Sequence, residues 1–304
     1  MKINNHNEII PIFVIGKNRS GTKWLSNILS NSIEIVSLQR KEDYGINETN
    51  IFYQFPKIFG DLNSYNNYIP FIECFAQTNI FKLTGLDKQF LYTIPERNYN
   101  IIFKSVMNQY AFSKDKKMWL QKSNTYILND AISYFPNATI VFIERNLEDN
   151  IRSTIGLQFK NGQKKKNILK NVFIYLLEQK RIKSFKKKIN IKQDTIYVKY
   201  EDLVSNTESV LKNLCDKLNI QFKEKMLDSI YQKNTSFSQK DKKIKMLNKL
   251  DVFYMHFFYN ILRFFPCSFF EFVFKKASRG QARMEFIAKT FEMRYREILE
   301  LKQA

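Results

Sequence analysis

A short loop near the amino terminus carries side chains suited to binding an anion. Gly16 and Gly21 enclose this loop, and Arg19 and Ser20 lie within it. The apolar run 9–15 predicts a buried strand before the loop, and the residues after it have the apolar spacing of a helix. Free backbone N–H groups converge at a helix amino terminus, where the helix dipole favours negative charge. The loop is therefore predicted to hold a phosphate or a similar oxyanion.

The order of residues after the second glycine distinguishes two kinds of phosphate loop. In the nucleotide-triphosphate loop a Lys follows that glycine, and the next residue is a hydroxyl that binds magnesium. Here Thr22 precedes Lys23, and Arg19 stands two residues before the glycine. The segment 16–25 instead resembles the phosphosulfate-binding loop of sulfotransferases that use 3′-phosphoadenosine-5′-phosphosulfate (PAPS). This resemblance implies that Arg19 and the loop amides bind the 5′-phosphosulfate, with no metal ion.

A second motif of the same family follows a later apolar run. Residues 138–143 predict a strand, Arg145 stands at its end, and Ser153 follows eight residues later. Sulfotransferases bind the 3′-phosphate of the cofactor with such a pair, and a planar guanidinium suits a bidentate phosphate contact. Leu147 stands where the family has Pro. The resemblance thus assigns to the cofactor Arg19, Ser20, Gly21, Thr22, Lys23, Trp24, Arg145 and Ser153.

Two further segments extend the resemblance to roughly residues 9–230. The segment 119–124 resembles the W-x-x-K-[TS]-P element, which implies that Lys122 lies near the transferred sulfuryl group. The segment 195–204 resembles the strand that ends in Y-E-D-L. In that family the Tyr200–Leu203 stretch is mainly architectural, and it is assigned no chemistry here.

Sulfuryl transfer also needs a base that deprotonates the acceptor. His6 precedes the first strand and His256 lies in an aromatic run, so neither histidine is well placed. The resemblance points to the loop after the second strand, where Glu48 is the preferred base and Glu42 the second choice. The alternative role for either carboxylate is structural: it would lie at the start of a helix and interact favourably with the helix dipole.

Strands that alternate with helices predict a three-layer αβα fold with a central parallel sheet, of the P-loop-like class. Ligands then bind at the carboxyl ends of the strands, where both phosphate motifs fall. An α/β domain is expected over 1–235 and a helical extension over 236–304. The expected strands are 9–16, 35–38, 101–103, 138–143 and 195–200, and the expected helices are 22–32, 122–135, 148–156, a basic helix within 160–192, and 206–219.

Charge and aromatic content raise two questions about surfaces. The chain carries a net charge of +20, and the segment 160–192 is rich in Lys with Glu178 as its single acid. The lysines of its basic helix either form a solvated face opposite an apolar stripe that packs on the core, or attract a polyanionic cofactor, an acidic glycan or an anionic membrane.

The aromatic run 252–274 is interrupted by Pro266 and by charges, so it predicts two short helices rather than one membrane-spanning helix. These helices either pack on the domain or lie in a membrane interface.

The sequence as a whole favours an enzyme that transfers a sulfuryl group from PAPS to a hydroxyl of a carbohydrate or lipid-linked carbohydrate. A P-loop kinase or NTPase is one alternative, and a non-catalytic basic adaptor for membranes or nucleic acid is another, although no nucleic-acid motif is visible. The three cysteines have neither metal nor disulfide spacing, and polar residues precede the first strand. These features predict a cytoplasmic protein without a metal; peripheral contact with the inner membrane face is the alternative that the basic and aromatic helices leave open.

Overall fold

A computed structural model of the chain describes residues 9–40, 45–46, 52, 55–128, 131–160, 162, 165–188, 194–228 and 247–277. The strands are β1 Ile10–Gly16, β2 Ile35–Ser37, β3 Gln39–Arg40, β4 Gly45–Ile46, β5 Met118–Ser123, β6 Thr139–Glu144 and β7 Thr195–Lys199. The helices are α1 Thr22–Ser30, α2 Phe55–Phe59, α3 Tyr65–Gln77, α4 Asn79–Lys82, α5 Gln89–Tyr92, α6 Tyr99–Ser113, α7 Leu147–Lys160, α8 Ile168–Lys188, α9 Tyr200–Ser205, α10 Thr207–Leu218, α11 Lys249–Leu262 and α12 Cys267–Ala277. Short 3₁₀ turns occupy Thr125–Leu128, Ala131–Tyr134 and Glu224–Leu227.

Five of the strands form one parallel sheet in the order β2-β5-β1-β6-β7. The strand β1 is central, so that Val14 is paired with Lys122 of β5 on one side and with Val141 of β6 on the other. The carboxyl ends of these three strands therefore open onto the same edge. That edge is where a parallel α/β sheet binds its ligands.

Side chains of β1 alternate between two apolar layers, as the period of a strand requires. Phe13 and Ile15 point into a core that includes residues of α3 and α6. Ile12 and Val14 point into a second core, which includes residues of α1 and α10. The two cores place helices on both faces of the parallel sheet, which confirms the three-layer αβα prediction.

The prediction of a strand at 101–103 is wrong, because these residues lie in α6. Asn98 caps this helix: its side-chain oxygen accepts hydrogen bonds from the backbone N–H groups of Asn100 and Ile101. The buried residues of α6 then recur at helical rather than strand spacing. A run of three apolar residues does not distinguish the two periods.

The helix expected at 122–135 is also wrong. Residues 118–123 form β5, and two 3₁₀ turns follow it. Because β5 ends in the polar residues Gln121, Lys122 and Ser123, the sequence lacks the apolar run that would predict a buried strand. In the structure all six residues of β5 are nevertheless buried. Its polar end is explained by its position beside β1, at the edge that carries the loop predicted to bind an anion.

The aromatic run forms two helices that are separated near Pro266, as predicted. Both α11 and α12 pack against α8 through an apolar cluster that includes Val172, Met255 and Phe270. By length and composition, no single helix among the described residues could cross a membrane. Among the same residues one pair of helices, α11 and Cys267–Phe274 of α12, passes that test together, and the two helices bend by 115° at the break.

Candidate functional site

The loop between β1 and α1 is packed too closely for side chains at its two glycines. A Cβ atom on Gly16 would lie 2.5 Å from the carbonyl oxygen of Ile143, and one on Gly21 would lie 2.5 Å from Cδ2 of Tyr200. Gly21 also has a φ of +95°, in the left-handed region that favours glycine. The glycine spacing seen in the sequence thus reflects contact of the loop with β6 and α9.

The loop leads directly into the amino terminus of α1. Gly21 occupies the cap position and makes no side-chain cap, and the first turn of α1 contains no acidic residue. The N–H groups of the first turn have no partners within the helix, and the dipole places partial positive charge there. This helix end has the backbone donors that an oxyanion needs.

Arg19 joins the two predicted phosphate motifs. Its Nε donates a hydrogen bond to Oγ of Ser153, at 3.2 Å, and its carbonyl oxygen accepts one from Nη1 of Arg145, at 3.3 Å. Arg19 itself has a φ of +68°, which is uncommon outside glycine and marks a conformation enforced by its surroundings. The structure therefore brings together Arg19, Arg145 and Ser153 at one place.

The guanidinium of Arg145 stacks on the aromatic ring of Tyr200. Its Cζ lies 4.2 Å from the ring centroid of Tyr200, and the hydroxyl of Tyr175 donates to its carbonyl oxygen at 3.1 Å. Within the described residues, the buried Nε of Arg145 has no hydrogen-bond partner. A buried donor of this kind is costly unless a ligand or water satisfies it, so this arginine fits a phosphate.

Lys122 adds a further basic group at the end of β5. The residue is 9% exposed, and burial, followed by the positive charges of Lys23 and Arg19, lowers its pKa to about 7. Burial and the neighbouring charge of Arg145 likewise lower the pKa of Arg19. Because like charges converge here, a bound anion would relieve their repulsion. The cations, the buried donor and the glycine cradle together fit a phosphosulfate and phosphate ligand.

The other residues assigned to the cofactor lie around the same loop. The buried hydroxyl of Ser20 accepts a hydrogen bond from Asn150, and Thr22 is buried at the start of α1. Lys23 is half-buried and close enough to Lys122 to lower its pKa. Trp24 packs edge-on against Tyr200, with ring centroids 6.0 Å apart.

The candidate bases Glu42 and Glu48 lie outside the described residues. Among the described residues, no group of three or more His, Cys, Asp or Glu side chains could hold a metal ion.

Several residues that support the loop were not identified from the sequence. Asn150 of α7 donates to the carbonyl oxygen of Asn18 at 2.8 Å, and Glu178 of α8 accepts two hydrogen bonds from Asn18. The buried ammonium group of Lys17 lies 4.0 Å from the ring centroid of Tyr175. The one signal in the sequence was that Glu178 is the single acid in a strongly basic segment.

Tyr200 was assigned no chemistry, yet it contacts three parts of the site. Its ring packs against the position of Gly21, beneath Arg145 and beside Trp24. The residue touches the groups that would hold the ligand, so it is a positioning residue. Its place at the end of β7, the strand next to β6, accounts for this contact.

Comparison with known proteins adds independent information to this geometry. A family model described as the sulfotransferase family matches residues 11–224. Three solved structures are similar to the chain: the sulfotransferase domain from the curacin biosynthetic pathway (18% identity over 78% of this chain and 83% of that one, TM-score 0.45), that of the Synechococcus PCC 7002 olefin synthase (16%, 75% and 80%, 0.44), and sulfotransferase STF1 from Mycobacterium tuberculosis H37Rv (13%, 84% and 77%, 0.49). No curated protein matches the chain.

Proposed function

Because the chain belongs to the sulfotransferase family, we propose that it transfers the sulfuryl group of PAPS to an acceptor hydroxyl. One observation supports PAPS as the sulfuryl donor: Arg19 forms hydrogen bonds with both Ser153 and Arg145. A single ligand with two anionic groups can therefore meet both motifs. The family assignment favours this function over a P-loop kinase and over a non-catalytic adaptor.

The residues divide into two groups around the donor. Arg19 and the backbone of the loop and of the first turn of α1 would hold the 5′-phosphosulfate. Arg145, supported by Ser153, would hold the 3′-phosphate through charge-assisted hydrogen bonds. When bound, PAPS supplies the sulfuryl group. Lys122 can hold a proton beside the leaving phosphate, because its pKa lies near neutrality and rises when an anion binds.

The base of the reaction is proposed to be Glu48, with Glu42 as the second candidate. Both follow β2, whose carboxyl end opens at the same edge of the sheet as Lys122. A general base contributes about 10²- to 10⁴-fold to a rate. Glu48→Gln should therefore lower kcat by that factor and leave the affinity for 3′-phosphoadenosine-5′-phosphate (PAP) unchanged. Loss of kcat in Glu42→Gln alone would move the base to Glu42.

The acceptor is proposed to be a hydroxyl of a carbohydrate or of a lipid-linked carbohydrate. The net charge of +20 favours acidic partners, and the exposed aromatic side chains of α11 and α12 are suited to an amphipathic acceptor. A protein tyrosine or a small alcohol is the next class to screen. The screen would compare transfer of label from ³⁵S-labelled PAPS to glycans, glycolipids, tyrosine peptides and alcohols.

Calorimetric titration of the protein with PAP, and separately with ATP and magnesium, tests the donor assignment. We expect PAP to bind without a metal, and Arg145→Ala to weaken it by about ten- to a hundredfold, as for a lost hydrogen bond to a charged group. Arg97→Ala is a matched control, since Arg97 also stacks on a tyrosine, with its Cζ 4.8 Å from the ring centroid of Tyr68. Preference for magnesium-ATP would replace the proposal with a kinase-like function, and binding of neither ligand would refute it.

A further inference from the structure

The helix α11 presents a continuous apolar stripe to solvent. Leu250, Phe253, Phe257 and Ile261 are all exposed, at spacings of three and four residues that place them on one face. Phe264, which is 77% exposed, extends the stripe into the bend before α12. Monomeric proteins rarely expose large apolar side chains in one contiguous patch, and such patches mark interaction sites.

The opposite face of the same helix is also apolar. Met255 is fully buried, and Phe258, Tyr259 and Leu262 pack against the cluster beneath α11. The helix therefore has two apolar faces although only one of them faces the protein, and the exposed polar residues Lys249, His256 and Asn260 lie between these faces. On α12 the exposed Phe272 adds to the aromatic surface, which we define as Leu250, Phe253, Phe257, Ile261, Phe264 and Phe272.

Acidic groups of the helix pair are turned away from this surface. The segment 249–277 contains two acids, Asp251 and Glu271. Lys166 donates to Asp251 at 2.5 Å, and Arg181 of α8 binds Glu271 through two hydrogen bonds, at 2.6 and 2.8 Å. Neither acid is fully exposed, and each is paired with a cation of the α/β domain.

Cations, by contrast, remain at the edges of the aromatic surface. Lys249 begins α11 and Arg263 follows it, and both are exposed. Lys180 of α8 donates to the carbonyl oxygen of Arg263 at 2.9 Å, so the basic helix reaches the same end of the stripe. An apolar face flanked by lysine and arginine is complementary to an interface that is apolar within and anionic at its boundary.

We propose that the aromatic surface binds an anionic lipid bilayer, with α11 and α12 lying in its interface. The 115° bend between the helices suits a pair that rests on a surface. A second copy of this chain is a poorer partner, because the cations at the edges would then face like charges in a protein of net charge +20. This inference goes beyond sulfuryl transfer and does not depend on it.

Vesicle co-sedimentation of the full chain tests the inference. The probes are vesicles of phosphatidylcholine alone and of phosphatidylcholine with 30 mol% phosphatidylglycerol, the latter at low and high salt. The test variant is Phe257→Ser combined with Phe264→Ser. Phe112→Ser is the matched control, since Phe112 is 58% exposed on α6, away from the helix pair. Each variant is also titrated with PAP and its thermal unfolding measured, so that a folding defect is recognised independently of binding.

We expect binding to the anionic vesicles that weakens in high salt and is markedly lower on neutral vesicles. The double variant should bind at least tenfold more weakly than the wild type and the Phe112→Ser control, while keeping its thermal stability and its response to PAP. Equal binding of the wild type and the double variant would overturn the proposal. Absence of binding by the wild type would do the same, as would a dimer that the double variant dissociates into monomers.

Discussion

The carboxylate of Glu178 accepts two hydrogen bonds from Asn18, one from its backbone nitrogen at 2.9 Å and one from Nδ2 at 2.8 Å. Glu178 is 4% exposed, and this burial raises its pKa to about 7. The two residues are far apart in the sequence, so the contact fixes the loop between β1 and α1 to α8. Since Asn18 directly precedes Arg19, this contact also constrains the residue on which both phosphate motifs converge.

Removing this carboxylate is expected to loosen the loop. Glu178→Ala should remove the acceptor of two hydrogen bonds from Asn18, which is itself exposed and can bond to water instead, so that the net loss is about 0.5 to 1.5 kcal/mol for each bond. We expect PAP to bind about tenfold more weakly or worse. Glu178→Gln keeps one acceptor and should have the smaller effect. The Glu208→Ala variant, on the exposed face of α10, provides the control in the same titration.

The raised pKa of Glu178 also predicts a pH dependence of stability. Its pKa lies at about 7 in the folded protein against a reference value of 4.5, so the folded state binds the proton more tightly than the unfolded state. This contribution to stability is lost as the pH rises from about 4.5 to 7. The Tm of the wild type relative to that of Glu178→Gln should therefore fall across this range. Parallel Tm profiles for the two proteins would contradict the assignment.

Alanine at Gly21 should disrupt the loop between β1 and α1. Its Cβ would lie 2.5 Å from the ring of Tyr200, in addition to the strain of a left-handed φ. Gly85→Ala isolates the backbone effect, because Gly85 has a φ of +68° and no atom within 4 Å of the added Cβ. We expect Gly21→Ala to lower Tm more than Gly85→Ala does and to abolish binding of PAP. Equal losses of Tm would mean that the contact with Tyr200 is easily relieved.

Binding of the donor should be accompanied by proton uptake at Lys122. Its pKa of about 7 makes the side chain mostly neutral at pH 8, and a bound anion raises that pKa. Titrations with PAP at pH 8 in buffers of different ionisation enthalpy should show uptake of up to about one proton. Lys122→Met should remove this uptake, and Lys114→Met, at an exposed lysine, should retain it. Equal uptake in Lys122→Met would assign the proton to another group.

Local patterns in the sequence predicted much of the fold and the proximity of the two motifs. The apolar run before Gly16 and the run before Arg145 became β1 and β6, which are adjacent in the sheet. Because both runs end at a polar motif, their carboxyl ends bring those motifs together, as parallel strands require. The break near Pro266 was also predictable, since proline does not continue a helix.

Features that depend on burial by distant residues were not predictable. The strand β5 reads as polar at its end, and only its place beside β1 explains a buried Lys122. The short run 101–103 is consistent with the apolar periodicity of a helix and with that of a strand, and the packing of α6 on the sheet favours the helix. The contact of Glu178 with Asn18 joins segments that no spacing rule relates. The candidate bases Glu42 and Glu48 lie outside the described residues, so their role remains a prediction.

The position of Tyr200 leads to a final prediction about its aromatic ring. The ring lies beneath the guanidinium of Arg145 and against Gly21, and a partly desolvated cation–π contact is worth about 0.5 to 2 kcal/mol. Tyr200→Phe keeps the ring and should bind PAP within about twofold of the wild type. Tyr200→Leu should bind about three- to thirtyfold more weakly, because 1.4 kcal/mol corresponds to tenfold in affinity. Equal loss in both variants would show that the hydroxyl, rather than the ring, positions Arg145.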